Sequence, residues 1–129
     1  MIVYAVPAPA PSSGIVPNVV ITRDRFEPFL PENSTERLAS FVDIQVGEMQ
    51  KRLREPQFLT RWTSRFKEMD VVQLRVSWLS DITRVMQWVA FIGVSSERVI
   101  IATASAAEAE FDRYKPQFAE ALASIDPGT

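Results

Sequence analysis

The sequence predicts an α+β domain. It would be a curved antiparallel sheet of about six strands, with a long helix after strand two and a C-terminal helix packed on the sheet. Three observations carry this. Apolar residues recur at helical spacing from Leu38 to Leu53. From Phe58 to Ser105 the period changes to two, interrupted only by short turn-forming stretches, and strands joined by such short connections pair antiparallel. The Ala- and Glu-rich stretch from Ala106 to Ile125 then returns to a helical stripe. The chain has 129 residues, 47% of them apolar, which suits a single domain over 1–129 with a real core.

In chain order, Ile2 to Val6 reads as a short strand. Pro7, Pro9 and Pro11 alternate with alanines ahead of Ser12, Ser13 and Gly14, a stiff extended connector poor in backbone donors. Pro17 to Asp24 reads as a strand that begins at a proline, where a strand tolerates one. Pro28 and Pro31 mark a loop into the helix, which Ser34 or Thr35 can cap and whose early Glu36 suits the positive end of the dipole. Leu38, Phe41, Val42, Val46, Met49 and Leu53 form its apolar stripe, and Pro56 stops it.

Beyond Pro56, Phe58, Thr60, Trp62, Ser64 and Phe66 share one face against Leu59, Arg61, Thr63 and Arg65. Val72, Leu74, Val76 and Trp78 then oppose Gln73, Arg75 and Ser77. Ser80 to Thr83 make a turn, Arg84 to Ile92 looks buried on both faces, Gly93 to Glu97 turn the chain again, and Arg98 to Ser105 (RVIIATAS) form the last strand. Tyr114-Lys115-Pro116 is expected to divide the C-terminal stretch, because proline suits a helix start and not its interior. Phe118, Ala121, Leu122 and Ile125 give the final stripe.

Composition removes much catalytic chemistry. With no Cys and no His there is no disulfide, thiol nucleophile, Ser-His-Asp triad, His/Cys zinc site or His-ligated haem. The four glycines are too scattered for a phosphate-cradling loop, no loop clusters oxygen ligands for Mg or Ca, and no cofactor is expected. The carboxylate pairs Asp24 with Glu27 and Glu108 with Glu110 fall in a loop or on a polar helix face. A net charge of −2 exerts no pull on nucleic acid, and the alternation points Trp62 and Phe66 away from Arg61 and Arg65, so nucleic-acid binding is not expected. No apolar run approaches the roughly 20 residues that span a bilayer, and no basic stretch precedes an apolar one at the N-terminus. The expectation is a soluble, cytoplasmic protein without direct membrane insertion.

Two features stand out from this background. Gln45 lies within the helix's apolar stripe, where an amide costs on the order of 1–3 kcal/mol unless it is hydrogen-bonded. It either finds a backbone partner or lies at the stripe's edge, or it faces a groove and offers its amide to a binding partner. The second feature is the strand at Pro17–Asp24. Val19 and Ile21 make its core side, while Asn18, Val20 and Thr22 form a small, half-polar face. That face is either ordinary solvent-facing surface or one that an apolar helix could approach closely, as small residues allow between transmembrane helices.

The order of a short strand, a Pro-rich link, the VITRD strand, a helix with FVDIQV, Trp-bearing strands, the VIIATAS strand and a YKPQFAEALASI helix resembles the DcrB-related family, whose fold is PsbP-like. Within it, the chain is most similar to the Eag chaperones of type VI secretion. These are cytosolic and shield the apolar N-terminal transmembrane helices of effectors before loading on the secretion spike. The resemblance spans essentially the whole chain. It implies a partner-binding groove formed by Val3, Asn18, Val20, Thr22 and Gln45, with a second groove position at Val89 or, two residues earlier on the same face, Gln87. It also implies a homodimer enclosing the segment. It places a strand and a turn ahead of Met1, so that Ile2–Val6 would be an exposed edge strand.

The expected function is therefore non-enzymatic: a chaperone or adaptor for effectors with apolar N-terminal helices. The alternatives are a DcrB-like cell-envelope or accessory protein, or a small enzyme using Asp24 or Asp70 as a base.

Overall fold

The computed structural model describes residues 2–5, 15–81 and 83–126, the first of these stretches by its backbone alone. Its elements are β1 (Ile2–Ala5), β2 (Asn18–Arg25), α1 (Ser34–Arg52), β3 (Gln57–Phe66), β4 (Met69–Leu79), β5 (Arg84–Gly93), β6 (Arg98–Ala107), a 3₁₀ turn (Glu108–Glu110) and α2 (Phe111–Ala123). The strands form one antiparallel sheet in the order β1-β2-β6-β5-β4-β3. The expected Pro-rich connector, together with Val6, lies outside the described residues.

The two helices pack on opposite faces of this sheet. On one face the stripe of α1 does what its spacing demands. Leu38, Phe41 and Val42 are buried, and Val46, Met49 and Leu53 pack beside them on Val72, Leu74 and Val76 of β4 and Val89 and Phe91 of β5. Each fully buried side chain of this kind contributes about 1.5–3 kcal/mol of transfer free energy.

The cap of α1 differs from expectation. Asn33, not Ser34 or Thr35, accepts from the backbone N–H groups of Thr35 and Glu36, at 3.0 and 3.1 Å. The hydroxyls of Ser34 and Thr35 instead donate to Asp70 Oδ2, tying the helix start to β4. The helix ends at Arg52, ahead of Pro56, with the Leu53 N–H donating to the Met49 carbonyl.

On the other face, alternate residues of β6 are alanines. Ala102, Ala104 and Ala106 are all fully buried, and α2 lays Phe111, Tyr114 and Phe118 against this shallow strip. The rings of Phe111 and Phe118 lie 5.4 Å apart between centroids. The expected division at Pro116 does not occur, because α2 runs through it from Phe111 to Ala123. Pro116 removes the N–H that would reach the Asp112 carbonyl. Asp112 is exposed, so water can take that bond, while the aromatic residues before and after the proline hold both halves of the helix on the sheet.

A bulge corrects the expected faces of β3. The register shifts between Phe58 and Thr60, so Phe58 pairs with Val76 and packs under α1, whereas Thr60 pairs with Arg75. One extra residue thus moves Phe58 to the face opposite Trp62, Ser64 and Phe66. The β3–β4 hairpin turns through Lys67 and Glu68, both with positive φ (49° and 69°), as a two-residue turn matching the sheet twist requires. Arg65 braces it by donating to Asp70 Oδ1 and to the Glu68 carbonyl, both at 2.6 Å.

At the far end of the sheet, fully buried Ser77 donates to Glu108 and accepts from Arg84 Nε at 3.0 Å. Arg84 also donates to the Glu55 carbonyl. These bonds pin β4, β5, the entry to α2 and the loop after α1 together.

Candidate functional site

The register places Asn18, Val20 and Thr22 opposite Ser105, Thr103 and Ile101, on the α1 side of the sheet. Helix α1, however, packs over β4 and β5. Among the described residues, the β2–β6 half of that face lacks a helical cover. All six of these side chains are consequently only partly buried, while Val19 and Ile21, pointing the other way, belong to the core under α2.

Between the open half and the C-terminal part of α1 runs a groove of about 540 Å³. Its floor is Asn18 and Val20 of β2, Thr103 and Ser105 of β6, and Val85 and Gln87 of β5. Met49, Arg52 and Leu53 of α1 make one wall, and Trp78 and Ser80 close the end.

The polar groups of this groove are partly committed. Gln87 Nε2 donates to Ser105 Oγ at 3.1 Å, and Asn18 Nδ2 donates to the Val16 carbonyl at 3.1 Å. The side-chain carbonyls of both amides take no hydrogen bond among the described residues, and the buried indole N–H of Trp78 has no acceptor. An unmade bond at such a buried donor costs about 1–3 kcal/mol. The surface therefore combines apolar Met49, Leu53, Val20 and Val85 with the charged Arg52 and a few free hydrogen-bonding groups.

The seven expected positions separate. Asn18, Val20 and Gln87 meet in the groove. Thr22 lies on the same face, just beyond its lining. Gln45 is half-buried one turn before Met49, outside the lining, and its amide makes no hydrogen bond among the described residues. Val89, the other candidate for the second position, is 0% exposed beneath α1 and faces the core rather than the groove. Helix α1 decides between them, since it covers the sheet at Val89 and its apolar stripe ends near Gln87. The backbone of Val3 pairs with Val20, and its side chain lies outside the described residues.

Residue spacing placed Met49, Leu53 and Trp78 on core-facing stripes and gave none of them, nor Thr103, Ser105 and Val85, a part in a groove. A signal for two of them was present in RVIIATAS, where Thr103 and Ser105 alternate with buried alanines and so must face away from α2.

No described helix is long and apolar enough to cross a membrane. No group of three or more potential metal-ligating side chains gathers among the described residues.

The chain is similar to a crystal structure of a protein of unknown function from Pseudomonas aeruginosa, PA94, put forward as a regulator. The identity is 22%, the match covers 98% of this chain and 82% of that one, and the TM-score is 0.81. It also shares its fold with the solution structure of cyanobacterial PsbP from Synechocystis sp. PCC 6803, at 14% identity and a TM-score of 0.55, over 95% of this chain and 79% of that one. No curated protein matches. The DcrB family profile matches residues 3–124, nearly the whole sequence, and the chain belongs to the DcrB family.

Proposed function

We propose that this DcrB-family domain is a non-enzymatic chaperone or adaptor that receives an apolar helical segment of a partner protein in the groove between α1 and strands β2 and β6. The observation that carries this reading is the open half of the α1 face. There Met49 and Leu53 of the wall and Val20 of the floor lie beside the free side-chain carbonyls of Gln87 and Asn18. Such a surface replaces lipid as the solvent for a helix that would aggregate in water. The small side chains at Val20, Thr103 and Ser105 let that helix come close, and the polar groups fix its register.

In the sharper form of the proposal, the partner is a type VI secretion effector with apolar N-terminal helices. A second copy of the chain would close over the bound segment, and the complex would form in the cytoplasm. Gln45 and Thr22, at the margins of the groove, would touch the segment where it leaves.

The test is co-expression with effector-like proteins, followed by affinity purification and the mass of the complex. A complex that disappears when the partner's N-terminal apolar helix is deleted, and when Val20 is replaced by Gln, supports the proposal. Recovery that ignores both changes overturns the groove assignment. The DcrB family match itself favours a second reading, an accessory or cell-envelope protein with a different ligand. That reading gains ground if the protein purifies alone from every pairing.

A further inference from the structure

Among the described residues, the opposite face also has a half that no helix covers. Helix α2 packs on β6, and beside it β3 and β4 present Trp62, Ser64, Gln73 and Arg75 next to Trp88 of β5. The guanidinium of Arg75 sits among three aromatic rings, with its central carbon 5.2 Å from the ring centre of Trp88, 5.3 Å from Phe111 and 6.0 Å from Trp62. No carboxylate among the described residues pairs with it, and its buried Nε has no hydrogen-bond acceptor. The acidic residues of the adjoining 3₁₀ turn are Glu108, which is engaged with Ser77 and Arg84, and buried Glu110, which has an interaction of its own.

Rings stacked on a guanidinium hold it in place by cation–π attraction but leave its N–H groups unfilled. On the other side of Trp88 lies a slot of about 180 Å³ between the sheet and the end of α2. Val71, Ala90, Ile92 and Leu122 line its apolar interior, and Ala119 lies at its exposed rim. Its polar wall is a chain in which Trp88 Nε1 donates to Gln73 Oε1 at 2.7 Å and Gln73 Nε2 donates to Ser64 Oγ at 2.9 Å. Gln73 and Arg75 are two residues apart on one face of β4, so the slot and the cation lie about 7 Å apart along the strand.

We propose that this face is a second binding site, for a small molecule with a short apolar body and one carboxylate. The body fills the slot over Ala90 and Ile92. The carboxylate reaches past Trp88 to Arg75, where a planar guanidinium offers it two parallel hydrogen bonds. The fixed chain from Trp88 to Ser64 gives the slot a rigid polar edge that holds Trp88 in place between the two parts of the ligand. The site is independent of the groove under α1, since the two lie on opposite faces of the sheet.

Octanoate is the probe, titrated into the full chain by calorimetry and by tryptophan fluorescence in a Trp78→Phe background, which silences the indole of the other face. Octanol tests the apolar body without the charge, and acetate tests the charge without the body. The expected result is saturable octanoate binding, at least about tenfold weaker binding of octanol, and none of acetate. Arg75→Met weakens octanoate at least tenfold. Ala119→Leu, at an exposed helical position, also weakens it by obstructing the rim while Arg75 stays in place. Val20→Gln, in the other groove, leaves it unchanged. Absence of saturable octanoate binding, equal binding of octanol, or octanoate binding indifferent to both Arg75→Met and Ala119→Leu overturns the proposal.

Discussion

The two helices cover the sheet by opposite means. Under α2 the strand supplies alanines and the helix supplies the bulk, so that Phe111, Tyr114 and Phe118 descend onto Ala102, Ala104 and Ala106. Under α1 both partners supply bulk, with Leu38 and Phe41 meeting Leu74, Val76 and Phe91. A helix that fills a shallow strip depends on a few large rings. A helix that meshes with branched residues spreads its contacts, and what limits it is how far across the sheet its stripe extends. That limit falls between Val89 and Gln87 and leaves the groove.

The contrast can be broken from either side. Phe118→Ala removes a fully buried ring from the shallow strip, and urea denaturation should show a loss of about 3–5 kcal/mol. Val89→Gln places an amide under the middle of α1, where nothing in that apolar cluster can satisfy it; the same measurement should show a loss of about 3 kcal/mol. Pro116→Ala sharpens the picture in the opposite direction. Restoring the missing N–H within α2 should stabilise the domain by about 1–2 kcal/mol, less than the full helical penalty of proline because the unfolded chain also gains freedom. Val20→Gln, in the open half, should change stability by less than about 0.5 kcal/mol while partner recovery falls, which separates binding from folding.

Much of this was readable in the residues because periodicity is a local property. The stripe of α1 and the alternation in β4 and β6 assign each side chain to a face without reference to anything distant. Three things were not local. The bulge in β3 adds a residue without a marker residue type, so Phe58 was grouped with Trp62 although it lies beneath α1. Pro116 obeys a rule for isolated helices that the burial of Phe111, Tyr114 and Phe118 overrides. Gln87 and Val89 occupy one face of one strand, and only the lateral position of α1 over the sheet tells them apart. The groove residues of β2 were legible as an oddly polar face. The unfilled N–H of Trp78 was not, because lacking an acceptor is a property of the assembled neighbourhood.

The hairpin at Lys67 and Glu68 has a consequence for any such mutational work. Two side chains there occupy backbone conformations that glycine and asparagine adopt with less strain, held by the Arg65 clamp. Replacing Glu68 by Gly would relax the turn while keeping the hydrogen bond that Lys67 Nζ donates to the Ile125 carbonyl on the α2 side of the sheet. The domain would then carry a stability reserve located away from the groove beside α1. Substitutions in the groove or around Arg75 could be compared in that sturdier background, where a lost partner cannot be mistaken for a lost fold.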